Sequence, residues 1–177
     1  MSARNDRRQL KKRVEAAFAA HPCGACTACC TVKEVSSIHK PDHTPCKHLG
    51  VSRTSLTAPP RERCTIYAKR PTQCRDYFCA YRYGLVFDNE RFRPDQLGIV
   101  FDVGERPPPG VNMMLVAREV TPGAIEERMQ ELHEITSQGC VIYLVQGDRR
   151  RFLGPEEQVK ICIDFARRSL PLAVPRD

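Results

Sequence analysis

Apolar and polar positions after Pro94 recur with the spacing of strands and helices. Two β-like runs cover residues 97–103 and 112–119, and the proline-rich turn between them ends at Gly110. A helix is expected next, with Thr121 as its cap and Pro122 at its first position. Gly139 is a suitable end for that helix. Its apolar stripe consists of Ile125, Met129, Leu132 and either Ile135 or Thr136.

The remainder of this half continues the same pattern. Residues 140–145 form an apolar run typical of a buried strand, and residues 150–153 a shorter strand after the turn at Gly147. Pro155 begins a last helix, with Val159, Cys162, Ile163 and Ala166 facing inward. The predicted order is ββαββα, and the predicted fold class is α+β, with helices packed on one small sheet.

The first half is patterned differently. Residues 4–19 predict an amphipathic helix that packs on the domain and ends before Pro22. Residues 31–63 are rich in proline, serine and threonine, which favours loops. Short helices are expected from Thr65 to before Pro71 and over residues 72–83. The chain therefore divides into an N-terminal helix (1–22), an irregular cysteine-rich metal-binding lobe (23–94) and an α+β region packed against it (95–177).

Composition and charge place this chain among cytoplasmic proteins. No apolar run is long enough to span a bilayer, and residues 10–20 are interrupted by charges, so neither a membrane span nor a signal peptide is expected. Residues 1–22 and 23–94 carry excesses of four and six positive charges, and residues 95–177 an excess of three negative charges. Nucleic-acid binding is one interpretation. Compensation of ligand thiolates by nearby cations is the interpretation we favour.

Eight of the ten cysteines lie between Cys23 and Cys79. In a reducing compartment this density favours metal ligation over disulfides. Thiolates are the ligands of zinc and of iron–sulfur clusters, usually four per centre. Cys29 and Cys30 are adjacent and do not easily bind one ion in the same way, so one of them is expected to point to a second centre. The candidate ligands are Cys23, Cys26, Cys29, Cys30, Cys46, Cys64, Cys74 and Cys79.

Other candidate ligands are weaker. His39, His43 and His48 surround Cys46, but loop histidines are more often exposed side chains than ligands. Cys140 and Cys162 stand apart, in an apolar strand and on an inward helix face, where a thiol behaves as a small hydrophobic group.

Three strings carry a family resemblance. They are C-G-A-C-T-A-C-C from Cys23, P-C-K-H-L around Cys46, and C-T-I-Y-A-K-R-P-T-Q-C-R-D-Y-F-C from Cys64. Over about residues 20–80 the chain resembles the CxxCxxCC family, the YkgJ-type cysteine-cluster group of zinc- or iron-chelating domains. The resemblance implies that the eight cysteines are ligands. Arg75, Tyr67 and His48 are expected around the ligand sulfurs, with Arg75 donating hydrogen bonds and Tyr67 excluding water.

Three functions are consistent with these features. The first is a metal-binding protein without its own catalysis, serving storage, delivery or recruitment of a protein partner. The second is an iron–sulfur enzyme of redox or methyl-transfer type, because flagellin lysine-N-methylases are similar in the cysteine cluster. The third is a zinc-supported nucleic-acid module, which the acidic C-terminal half and the unusual cysteine spacing disfavour. We therefore expect zinc or iron as the bound metal.

Overall fold

The computed structural model describes residues 26–52, 61–84, 89–104 and 107–169 of the 177-residue chain. The amphipathic helix predicted within residues 4–19 and the candidate ligand Cys23 lie outside the described residues. Within them the chain is mixed α/β, with two sheets and several helices, in agreement with the α+β prediction.

The cysteine-rich segment, which comprises residues 26–52 and 61–84, is built from short elements. They are α1 (Ala28–Val32), β1 (Leu49–Ser52), β2 (Arg61–Cys64), α2 (Thr72–Arg75), α3 (Ala80–Tyr83) and 3-10 turns at Ser36–Ile38 and Tyr67–Lys69. β1 and β2 form an antiparallel hairpin. The composition thus correctly predicts that long elements are lacking in the described part of this segment, but it does not predict the hairpin.

The helix predicted over residues 72–83 is divided. α2 and α3 are separated by residues 76–79, and Cys79 has an extended backbone as it enters α3. The physical reason is tertiary: Tyr77 donates a hydrogen bond to Asp102 and Cys79 packs on two apolar clusters of the sheet. The helix end at Gly84 is as predicted, with a left-handed φ of 58°.

A four-stranded sheet forms the centre of the fold. After α4 (Pro94–Leu97) it contains β3 (Ile99–Val103), β4 (Met114–Glu119), β5 (Val141–Gln146) and β6 (Arg149–Leu153), in the order β3-β4-β5-β6. The outer pairs are antiparallel and the central pair, β4 and β5, is parallel. All four strands lie where the apolar runs predict them, within two residues at either end.

Helices connect the two parallel strands and follow the last strand of the sheet. α5 (Ala124–Glu127) and α6 (Met129–Thr136) join the parallel strands, as a parallel connection requires, and α7 (Glu156–Ser169) follows β6. The predicted cap at Thr121 is wrong. The helix instead begins after Gly123, whose φ is 87°, and the Glu119 carboxylate accepts the Ile125 N–H at 3.1 Å. The end at Gly139, with φ of 84°, is as predicted.

Both faces of the sheet are covered. One face buries Phe101, Leu115 and Ile142 against the helices of the crossover and against α3. The other face buries Val100 against α1 and Val141 against α7. The cysteine-rich segment therefore contacts β3 from both sides, and this contact positions the thiols described below.

A side chain added at Gly98, between α4 and β3, is expected to destabilise the fold. Its φ is 76°, and a Cβ there would approach the buried Cβ of Ala124 to 2.8 Å. Gly98→Ala should lower the free energy of unfolding by about 2 kcal/mol, because backbone strain and overlap add. Gly139→Ala is the control, since its φ is 84° but nothing lies within 4 Å of the added Cβ. It should cost about 1 kcal/mol. Equal losses in urea denaturation would contradict the overlap.

Across the described residues, no helix is long and apolar enough to cross a bilayer.

Candidate metal centre

A cavity of about 330 Å³ lies between the cysteine-rich segment and β3. Pro94 and Val100 form part of its wall on the side of the sheet. The remaining wall includes all seven described cysteines of the predicted ligand set: Cys26, Cys29, Cys30, Cys46, Cys64, Cys74 and Cys79. Each is half-buried, and no disulfide joins any of the described cysteines.

The first thiols are positioned by α1. Its Ala28 and Val32 are buried against Val100 of β3, which fixes the helix on the sheet. Cys29 and Cys30 are consecutive residues of this helix, so their side chains leave it about 100° apart. The two thiols leave the helix in different directions but remain close enough for a hydrogen bond between them.

The middle thiols are positioned by backbone hydrogen bonds. The N–H of Cys46 donates to the carbonyl of Cys30 at 2.9 Å, and the carbonyl of Cys46 accepts from Leu49 at 2.9 Å. In the β1–β2 hairpin, Leu49 lies directly opposite Cys64. Three cysteines far apart in sequence are thus linked through consecutive contacts of the backbone.

The last two thiols flank the interruption between α2 and α3. Cys74 lies in α2, whose first turn begins after Pro71, and its N–H donates to the Pro71 carbonyl at 2.9 Å. Cys79 precedes α3 and packs against apolar residues of both the main core and the α1 contact. Pro71 therefore begins the turn that carries Cys74.

The electrostatic environment differs sharply between thiols. A hydrogen bond with Cys29 lowers the pKa of Cys30 to about 7. The nearby charges of Lys40 and Arg70 also lower this pKa, whereas burial raises it. Burial raises the pKa of Cys26 to about 11. Repulsion from Asp95 and Cys79 also raises this pKa, whereas backbone hydrogen bonds at Ala28 and Asp95 lower it. Cys30 is therefore the more readily ionised of the two.

The other thiols affect the pKa values of Cys74 and Lys40. Burial raises the pKa of Cys74, and repulsion from Cys30, Cys46 and Cys64 adds to the effect. Lys40 is only 5% exposed, and its ammonium donates to the carbonyls of Lys33 and, at 3.2 Å, Pro41. Burial lowers the pKa of Lys40, while neighbouring thiolates and Asp42 act in the opposite direction.

Alkylation rates should separate these thiols. In reduced, metal-free protein at pH 7, iodoacetamide should modify Cys30 at least about tenfold faster than Cys26, because reactivity follows the thiolate fraction. Between pH 7 and 9 the thiolate fraction of Cys30 rises only about twofold, whereas that of Cys26 rises about 100-fold. Peptide mass spectrometry over time measures both. Equal rates with equal pH dependence would contradict the assigned environments.

The three residues expected around the sulfurs have different positions. His48 lines the cavity and is half-buried. Tyr67 also lines it but is 61% exposed, and its ring stacks with Arg70 at 4.1 Å from the guanidinium carbon. Arg75 is exposed and donates to the Thr72 hydroxyl at 3.0 Å. The arginines that line the cavity are Arg63, Arg70 and Arg82.

Other candidates from the sequence lie elsewhere. His39 and His43 are exposed and adopt left-handed backbone conformations, with φ of 52° and 49°. Cys140 and Cys162 are buried in the main core and in the α7 contact, as predicted, and burial raises the pKa of both thiols. Lys40 was missed, since nothing distinguishes one lysine of a polar loop from its solvated neighbours.

Asp102 on β3 connects the sheet to the cysteine-rich segment, and its role is not evident from sequence. Its carboxylate accepts from Lys33 at 3.2 Å, from Arg118 at 3.0 Å and from the Tyr77 hydroxyl. Burial, reinforced by this carboxylate, raises the pKa of Tyr77. Arg118 also reaches Asp42 at 3.0 Å. The network fixes the chain on both sides of the cavity relative to β3.

The cysteine sulfurs are suitable donors for a thiophilic metal, but they are spread over the cavity wall. Among the described residues, no three His, Cys, Asp or Glu side chains are close enough together to hold one ion. In a zinc tetrathiolate the sulfurs lie about 3.8 Å apart, given Zn–S distances near 2.3 Å. Ligation would therefore draw the sulfurs inward, and short elements joined by turns can accommodate such a movement.

Comparisons with protein-family models, curated proteins and solved structures found no match to this chain. The resemblance of its motifs to the CxxCxxCC family therefore stays a prediction, and the residues around the cavity carry the functional argument.

Proposed function

We propose that this protein binds zinc or iron through its clustered cysteines, as a metal-binding protein of the CxxCxxCC type. The observation that carries the proposal is the convergence of seven cysteines, spread over more than fifty residues of sequence, on one cavity. Thiols kept reduced at such density are typical of metal ligation. Zinc and iron–sulfur clusters both use such thiolates.

The local charges support this proposal. Four thiolates around a divalent ion carry a net charge of about −2, which a half-buried site must compensate. Lys40 and Arg70 lie within electrostatic range of Cys30, and Arg70 also within range of Cys74. Their positions give the basic excess of the cysteine-rich segment a role that requires no nucleic acid.

The proposed role is to hold the metal rather than to react at it. The chain's contribution would be the arrangement of the thiolates, the cations beside them and the apolar wall formed by Val100 and Ile66. A bound iron–sulfur cluster would add electron-transfer chemistry. Metal identity, read from colour and sulfide content of protein prepared without oxygen, distinguishes the two forms of the proposal.

Cysteine substitution tests this function directly. Cys74→Ser should lower the metal content of protein prepared without oxygen by about half or more, because the hydroxyl is a poor ligand for zinc and iron. Cys162→Ala is the matched control, since Cys162 is buried in the α7 contact and does not line the cavity. It should retain the wild-type metal content, measured by elemental analysis. Equal metal content in wild type and both variants would overturn the proposal.

A further inference from the structure

We infer that the clustered cysteines form two separate metal centres rather than one. The outer group, which we assign to the first centre, consists of Cys30, Cys46, Cys64 and Cys74. The inner group, which lies against the sheet and belongs to the second centre, contains Cys26 and Cys79. The inference rests on the proposed function, because it divides the same thiols between two ions.

Backbone contacts unite the outer group. Cys46 donates its N–H to the carbonyl of Cys30 at 2.9 Å. The Cys46 carbonyl accepts from Leu49 at 2.9 Å, and Leu49 is the strand partner of Cys64. A continuous series of backbone neighbours therefore leads from α1 through the loop to the hairpin.

Cys74 joins this group from α2. Its sulfur lies within electrostatic range of the sulfurs of Cys30, Cys46 and Cys64, that is, of the other three members of the outer group. Four thiols from four different segments thus line the same cavity, and ligation would draw their sulfurs together. Four is the number of protein ligands in a structural zinc centre.

The inner group has a different set of neighbours. Cys26 and Cys79 both pack against the apolar cluster formed by Ala28, Val32 and Val100. Cys26 lies within electrostatic range of Cys79 and of the Asp95 carboxylate. These two thiols therefore lie against β3, on the side of the cavity closed by the sheet.

Charge separates the two regions further. Lys40 lies near Cys30 and Cys46, and Arg70 lies near Cys30 and Cys74. Two cations match the charge of about −2 of one divalent ion with four thiolates. The inner group is instead near Asp95, whose carboxylate also accepts from the Arg93 guanidinium at 2.6 Å. The outer group is thus near two cations, and the inner group near an ion pair.

Cys29 lies at the boundary between the groups. It forms a hydrogen bond with Cys30 of the outer group and is within electrostatic range of Tyr77, as is Cys79 of the inner group. Cys29 therefore lies beside both groups, and the division assigns it to neither centre.

Paired substitutions test the division. Within the outer group, Cys64→Ser/Cys74→Ser should retain about half of the wild-type zinc, as should Cys64→Ser alone, because either change disables the same centre. Cys64→Ser/Cys79→Ser, which damages both groups, should lose nearly all of it. Native mass spectrometry of zinc-loaded protein reads the occupancy. The division is overturned if the mixed pair retains as much zinc as Cys64→Ser alone.

A second measurement uses the wild-type chain, so its result does not depend on whether the variants fold. Metal-free, reduced protein is supplied with one equivalent of Zn²⁺, alkylated with N-ethylmaleimide and analysed intact by fragmentation in the mass spectrometer. Molecules in which Cys64 is protected should also have Cys30, Cys46 and Cys74 protected, independently of Cys26 and Cys79. Protection of Cys64 together with Cys79 on the same molecules, at the frequency of Cys64 with Cys74, would overturn the division.

These results separate the inference from the function on which it rests. Wild-type protein that takes up no Zn²⁺ and no iron with sulfide contradicts the proposed function and the division with it. Wild-type protein that binds metal but protects all its cysteines as one set contradicts the division alone.

Discussion

Removal of the bound metal is expected to unfold the cysteine-rich segment while the four-stranded sheet stays folded. In this segment the strands have four residues each and the helices four or five. Helices this short have little stability of their own. Among the described residues from 26 to 79 the buried apolar side chains are Ala28, Val32 and Val35, which form only a small core, whereas Ala80 and Tyr81 of α3 belong to the core of the sheet. Metal ligation replaces part of the missing core.

The sheet has the opposite character. Ile99, Leu115 and Ile142 are fully inaccessible, and helices cover both faces. Structural zinc contributes about 10–16 kcal/mol of apparent binding free energy in zinc-finger peptides, so its loss should exceed the effect of any single core substitution. We therefore expect a partial unfolding that ends at the contact with β3.

Hydrogen exchange measures this result. After chelation, amides of residues 26–52 and 61–79 should exchange at least about 100-fold faster, whereas those of α3 and of residues 114–146 should keep their protection. A chelator already saturated with zinc is the control for effects of the chelator itself. Unchanged protection of the cysteine-rich segment after complete metal loss would show that ligation does not stabilise it.

Asp102→Asn is expected to have the second largest effect, a loss of about 3 kcal/mol in the free energy of unfolding. The Asp102 side chain is only 13% exposed and accepts from Lys33 and Arg118, which are 29% and 21% exposed. The amide keeps the shape but removes the charge, so Lys33 loses its carboxylate partner and Arg118 keeps only Asp42. The cost is at the lower end of that for fully buried pairs because water reaches both cations.

The matched control is Asp164→Asn on α7. Asp164 is 58% exposed and lies 3.9 Å from Arg167, a surface pair that contributes little. It should change stability by less than about 0.5 kcal/mol. Both variants are compared by urea denaturation at a fixed concentration of free zinc, since bound metal adds to apparent stability. Equal stability of the two variants would show that the network around Asp102 does not join the segment to the sheet.

The sheet could be predicted from sequence because each of its strands is specified by a local pattern of residues. Alternation and apolar runs identify each strand, and the glycines at 139 and 147 mark the ends of elements. The start of the crossover helix could not be predicted, because the Glu119 side chain at the end of β4 caps it in place of the nearer Thr121. The break between α2 and α3 depends on Asp102, twenty-three residues beyond Cys79.

The candidate site could be predicted in its membership but not in its arrangement. Cysteine spacing selects the thiols, seven of which line the cavity. Their grouping depends on the β1–β2 register and on the bond between Cys46 and Cys30, which spacing does not specify. Arg70 lines the cavity and Arg75 does not, because the Arg75 guanidinium donates to the Thr72 hydroxyl of its own helix.

Metal and sulfide analysis of protein purified without oxygen tests the central claim most directly. We predict about two zinc ions per chain in a colourless protein, or iron with acid-labile sulfide in a brown one, bound firmly enough to survive desalting. Protein that carries neither metal, and takes up neither on reconstitution while all its thiols react with N-ethylmaleimide, would contradict the claim that the clustered cysteines form metal centres.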